Sequence, residues 1–137
     1  MVSKSSKLRK IKKADLHQII EMDTLASGEN RSHLISRFWH NGIATLNAKK
    51  QINGFFLPEF SRGLVVALTE QAGQALLQLK HSRKFTKSMI PEQNKKGIEI
   101  LNNLGCVKNE ICTRMIRGNE NIWSPQFIYS YAGGYCG

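Results

Sequence analysis

Gly63-Leu64-Val65-Val66-Ala67-Leu68-Thr69-Glu70-Gln71-Ala72-Gly73-Gln74-Ala75-Leu76-Leu77-Gln78-Leu79 is a stretch in which two periodicities meet. Its first six residues are apolar without alternation, the pattern of a strand covered on both faces. From Glu70 onward Ala72, Ala75, Leu76 and Leu79 share one helical face, and Thr69 stands where an N-cap belongs. A buried strand running directly into a helix is predicted, and it implies a sheet with helices packed on it.

Upstream, Ile43 to Leu46 and Ile52 to Leu57 read as two strands about the polar turn Asn47 to Gln51, a hairpin feeding the central strand. Before them, Leu16, Ile19, Ile20, Met22 and Leu25 keep a helical period up to Ser27-Gly28. A second helix capped by Asn30 carries Leu34, Ile35, Phe38 and Trp39 and closes near Asn41-Gly42. Leu8 to Ile11 suggests a short edge strand rich in basic residues. Downstream, Phe85 to Ile90 reads as a strand ended by Pro91. A helix follows over Glu92 to Leu104, with Ile98, Leu101 and Leu104 inward and Gly105 as its stop. Cys106 to Ile116 and Phe127 to Tyr131 read as closing strands. The order is β-α-α-β-β-β-α-β-α-β-β, an α/β chain of the α+β kind with a mixed sheet.

The chain's 137 residues suit one domain, read here as residues 8–137 behind a basic tail over 1–7. With 41% hydrophobic and 22% charged residues it can bury a core. No run approaches the roughly 20 apolar residues of a membrane span, and Met1 to Lys13 has no apolar block for a secretory signal. A cytoplasmic protein without membrane contact is the expectation. The net charge is +10, which invites a nucleic-acid reading. Six of those charges lie in the first thirteen residues, however, where there is no aromatic residue, and the stretch from Lys80 to Lys96 holds only Phe85, so nucleic acid is not the expected partner. Cys106, Cys112 and Cys136 fit no zinc spacing, and His17, His33, His40 and His81 form no i, i+4 pair, so no metal site is expected.

Several residues, taken in order, resemble one family. Asp23, Gly28 and Arg31 are followed by Gly63-Leu64-Val65-Val66-Ala67, Pro91, Asn94, Leu101, Leu104-Gly105, Arg114-Met115-Ile116-Arg117-Gly118 and Ile128-Tyr129. This set resembles the GNAT acyltransferase superfamily, and within it a divergent branch similar to the C-terminal domain of YitH-type acetyltransferases. The resemblance implies a GNAT-like fold and acetyl transfer from acetyl-CoA to a primary amine. It also implies a coenzyme arm beside the central strand near Val66 and Leu68, and a pyrophosphate on the amides of the following helix at Gln71, Ala72, Gly73 and Gln74. Asn94 would bond the pantetheine. The physics is general: unpaired N–H groups at a helix start stabilise a diphosphate without a charged side chain.

Two departures from the superfamily pattern stand out. Its phosphate loop usually reads (Arg/Gln)-x-x-Gly-x-(Gly/Ala), whereas Leu68-Thr69-Glu70-Gln71-Ala72-Gly73 keeps only Gly73. Leu101 occupies the place of a tyrosine that often protonates the departing thiolate, and loss of a general acid costs on the order of 10²- to 10⁴-fold. Hence a second function is carried beside the enzyme: a catalytically degenerate GNAT-like module for ligand sensing or domain pairing.

No catalytic residue is assigned from sequence. Three residues are candidates for the acceptor side. Arg31 can clamp an acidic group or pair with Asp23 or Glu29; Glu59 is a base or an ordinary loop acid; Tyr129, with Tyr131 and Tyr135, lines an acceptor pocket, supplies the missing proton donor, or packs for area. Asn94 likewise is either a ligand of the pantetheine or a first-turn residue satisfying its own helix. The resemblance also implies a small-molecule or peptide amine as acceptor, and strand edges that could pair in a homodimer.

Overall fold

The computed structural model describes residues 7–60, 63–82, 88–106 and 124–130. Strand β1 (Lys7–Lys10) leads through a 3-10 turn at Lys13–Asp15 into α1 (Leu16–Ser27) and α2 (Ser32–Phe38). Strands β2 (Ile43–Leu46), β3 (Ile52–Leu57) and β4 (Leu64–Ala67) follow, then α3 (Glu70–His81), α4 (Lys95–Asn103), a 3-10 turn at Pro125–Phe127 and β5 (Ile128–Ser130).

The five strands form one sheet in the order β1-β2-β3-β4-β5, with every pairing among the described residues antiparallel. The buried run in β4 behaves as its composition demands. Leu64 and Val66 turn to the face covered by α1 and α2, with Ile19, Met22, Ile35, Phe55 and Leu57. Val65 and Ala67 turn to the face covered by α3 and α4, with Phe56, Leu76, Leu77 and Ile100. Alternate residues of one strand thus enter two separate cores.

Local chemistry sets the helix ends. Gly28 takes the left-handed conformation (φ 76°) and its N–H donates to the Thr24 carbonyl, closing α1. Near the other end of α1, the Arg9 guanidinium donates to both oxygens of Asp15 at 2.7 and 3.0 Å, tying β1 to the entry of the helix. The start of α4 lies at Lys95 rather than Glu92, because the Asn94 side chain caps it by accepting the Gly97 N–H. Its inward residues are Gly97, Ile100 and Leu101; Ile98 is half-buried and Leu104 is 37% exposed, a rotation of the expected face.

Of the strand expected over 85–90, residues 85–87 lie outside the described residues, and Ser88 to Ile90 form an irregular lead into Pro91. The strand expected over 106–116 lies outside them except for Cys106, and the Arg114 to Gly118 motif lies wholly outside. Among the described residues no helix is long and apolar enough to cross a membrane. No group of three His, Cys, Asp or Glu side chains there could hold a metal ion.

Candidate functional site

The site is built where β4 hands the chain to α3. Thr69 is extended (φ −128°, ψ 157°); its Oγ1 accepts the Ala72 N–H at 3.2 Å and its carbonyl accepts the Gly73 N–H at 3.0 Å. Thr69, Glu70 and Gln71 are exposed. The first-turn amides of Glu70 and Gln71 therefore stand at the accessible, partially positive end of the helix. Glu70 would oppose an anion here, yet its carboxylate lies 3.7 Å from Lys96 Nζ on α4. This exposed pair partly offsets the acid's charge, and the accessible first-turn amides are donors of the kind a diphosphate takes.

The strand beside this turn is more enclosed than the sequence suggested. The Leu68 N–H donates to the Asn53 carbonyl at 2.8 Å, so it is already engaged with the neighbouring chain. Val66 is paired with Phe55 on one side and Ile128 on the other. β5 pairs with β4 at Val65 and Val66, with a register irregularity between them, on the side of Val66 away from Phe55. Beyond Ile128 the ladder stops, because the chain enters the turn at Pro125–Phe127.

Tyr129 is the side chain that β5 brings to α3. It is 3% exposed, and its ring lies against Gly73 so closely that a Cβ at that position would overlap it. Burial, and secondarily the charge of Glu70, push the Tyr129 hydroxyl above the usual tyrosine range, so it remains a proton carrier at neutral pH. Asn94 braces this arrangement from behind. It is 2% exposed, its Oδ1 accepts the Gly97 N–H at 2.9 Å and its Nδ2 donates to the Ile128 carbonyl at 2.8 Å. Both ends of its amide serve the fold beside Tyr129.

Arg31 and Glu59 belong to a different place. Arg31 donates from Nε and Nη2 to the two oxygens of Asp23 at 3.0 and 2.5 Å, and its guanidinium sits 5.5 Å from the centre of the Phe60 ring. Asp23 is 1% exposed, so this pair fastens α1 to the chain entering α2. Exposed Glu59 accepts a hydrogen bond from the Asn41 amide. Both residues flank Phe60 where β3 leaves the sheet, which is the end of β4 remote from α3, about 13 Å away along the strand.

The structure accordingly gathers Leu68, Gln71, Ala72, Gly73, Gln74 and Tyr129 around one helix start. Arg31 and Glu59 are placed elsewhere. Sequence reasoning missed Lys96 as the partner of Glu70, although residues 70 and 96 open two helices that the fold lays side by side. It also missed Lys80, which is 2% exposed and donates to the Gly63 carbonyl at 3.1 Å and to Ser130 Oγ at 2.7 Å. Its signal was present: Lys80 continues the inward face of Leu76 and Leu77.

Comparison with known proteins fits this architecture. The family model described as Acetyltransferase (GNAT) domain matches residues 19–129. No curated protein matches the chain. A crystal structure described as "A Putative Acetyltransferase from PYROCOCCUS HORIKOSHII" superposes with a TM-score of 0.76 at 16% identity, covering 100% of this chain and 47% of that one. The chain thus spans about half the length of that protein, and the likeness concerns the fold. With most of its length matched, from the first core helix to the tyrosine on β5, the chain belongs to the GNAT acetyltransferase domain family.

Proposed function

We propose that this domain transfers an acetyl group from acetyl-CoA to a primary amine, at the start of α3. The observation that carries the reading is the capped, exposed first turn of α3 with Tyr129 packed beside it. Bound acetyl-CoA supplies the acyl group as an activated thioester. The amides of Glu70 and Gln71 hold its diphosphate, with Glu70 kept aside by Lys96. Gln71 and Gln74 offer amide groups along the same exposed side of α3. The amine nitrogen attacks the thioester carbon, the carbon–sulfur bond breaks, and the amine proton passes to solvent, from which the tyrosine regains its own. The Tyr129 hydroxyl protonates the departing thiolate, taking the part for which Leu101 has no proton.

The acceptor is a small amine or a peptide amine, and the reading is tested in two steps. A thermal shift with millimolar acetyl-CoA should raise Tm, since ligand at about 100 times Kd adds roughly 2.7 kcal/mol. Release of free coenzyme thiol should then depend on added amine across a panel of polyamines, amino sugars and lysine peptides. Absence of any shift overturns the proposal.

A second reading is favoured by the contact between Tyr129 and Gly73. The one glycine kept from the superfamily's phosphate loop accommodates an aromatic ring of the chain itself. A ligand-sensing or domain-pairing module would show a coenzyme shift or a partner domain without amine-dependent thiol release.

A further inference from the structure

A second cluster of reactive side chains lies at the opposite end of α3, about 16 Å along the helix from its first turn. Here α3 and α4 run side by side, Glu70 opposite Lys96 at one end and His81 opposite Cys106 at the other. Cys106 Sγ is 3.7 Å from His81 Nδ1, and His81 Nε2 is 2.7 Å from Ser88 Oγ. Between the helices lies a trough of about 170 Å³, lined by Glu70, Gln74, Gln78, Glu99 and Leu104 among others. It reaches Gln78 and Leu104, a turn or less of chain from His81 and Cys106. Cys106 itself is partly exposed.

These three groups meet the geometric pattern of an activated nucleophile: a thiol, a base within reach of it, and a third group orienting the base. We propose that Cys106, with His81 as its base and Ser88 holding the ring, is a thiol-exchange site that takes small-molecule disulfides. Burial, and next the charge of Lys80, hold the His81 imidazole below the usual histidine range, so it is neutral at neutral pH. With its proton on Nε2 and donated to Ser88 Oγ, the Nδ1 lone pair faces the thiol.

The exchange balances without another reagent. The Cys106 proton passes to His81 Nδ1, and the thiolate attacks one sulfur of the incoming disulfide. The old sulfur–sulfur bond breaks as the new one to Cys106 forms. The leaving thiolate takes the proton back from the imidazolium. The disulfide is the oxidant, and one of its halves leaves reduced. The site needs no coenzyme and is independent of acyl transfer at the other end of α3.

The test uses the full chain with Cys112→Ser and Cys136→Ser, so that Cys106 alone reports. An ordinary thiol is only a few per cent thiolate at neutral pH, so a local base has room to raise its rate by about tenfold. Reaction with an aromatic disulfide reagent at pH 7 should be about tenfold slower in His81→Gln, slower to a lesser degree in Ser88→Ala, and absent in Cys106→Ser. Equal rates with and without His81, or labelling only after unfolding, overturn the proposal. Should the His81 variant fail to fold, the unaltered protein decides. Oxidised glutathione should leave one adduct, on the peptide containing Cys106. No adduct, or equal labelling of Cys112 and Cys136, overturns it.

Discussion

The Tyr129 ring lies where a side chain on residue 73 would have to go: a Cβ built on Gly73 comes within 2.7 Å of the ring's Cδ2 and closer still to two other ring atoms. Alanine in an open helix position would stabilise relative to glycine by up to about 1 kcal/mol. Here the overlap wins, because the ring is 3% exposed and is enclosed by the α3 and α4 core. Gly73→Ala should lose about 1 to 3 kcal/mol in urea unfolding, and Tyr129→Leu should restore part of it. An unchanged midpoint for Gly73→Ala would show that the ring is not held there.

Tyr129→Phe separates chemistry from packing. It keeps the ring against Gly73 and removes only the hydroxyl, so the melting temperature should hardly move. Under the proposed transfer, kcat should fall by about 10²-fold while the coenzyme thermal shift persists. A kcat equal to that of the unaltered protein would remove Tyr129 from the proton path.

Arg31→Ala should be among the most damaging single changes. It leaves the Asp23 carboxylate, 1% exposed, without its guanidinium, and breaking one side of a buried ion pair typically costs about 3 to 5 kcal/mol. Arg31→Lys keeps the charge but not the two-point contact, and should fall between. Chemical denaturation of the three proteins gives the ranking, and a loss under about 1 kcal/mol for alanine would contradict the burial.

Lys80 predicts a pH dependence of definite sign. Burial lowers its pKa from the ordinary 10.5 to about 8. Between those values the unfolded chain binds the proton and the folded chain does not, so stability contributed by this residue rises from pH 8 to 10.5 and is flat below. The full rise is on the order of 3 kcal/mol. Lys80→Met should flatten that rise relative to the unaltered protein. Parallel pH curves for the two would show that Nζ is hydrated in the fold.

Much of the architecture is legible in the sequence. The bounds of β2 and β3 are those expected, because apolar runs flank a polar turn in which Asn47 Oδ1 accepts the N–H groups of Lys49 and Gln51. The termination of α1 at Gly28 followed from local chemistry for the same reason. Long-range packing was less legible. On α4 Leu101 is buried as expected, but hydropathy also ranks Leu104 as a core residue, whereas that helix turns Gly97 and Ile100 toward its neighbours. At the site, the Thr69 cap and exposed first turn were legible. The enclosure of Val66 and the meeting of Gly73 with Tyr129 were not, since both depend on a strand arriving from far along the chain.

That late-arriving strand has a consequence for motion. β2, β3 and β4 follow one another with short connections, while β5 reaches β4 only after α3 and α4, and it is three residues long. Its docking closes the largest loop in the sheet and so carries the greatest closure entropy. Detachment of Ile128–Ser130 would uncover Gly73, release the Asn94 and Lys80 contacts together, and leave four strands paired. The hydroxyl proposed for proton delivery therefore rides on a segment whose opening would carry it away from α3, and deuterium exchange at the Ile128–Ser130 amides reads that opening apart from global unfolding.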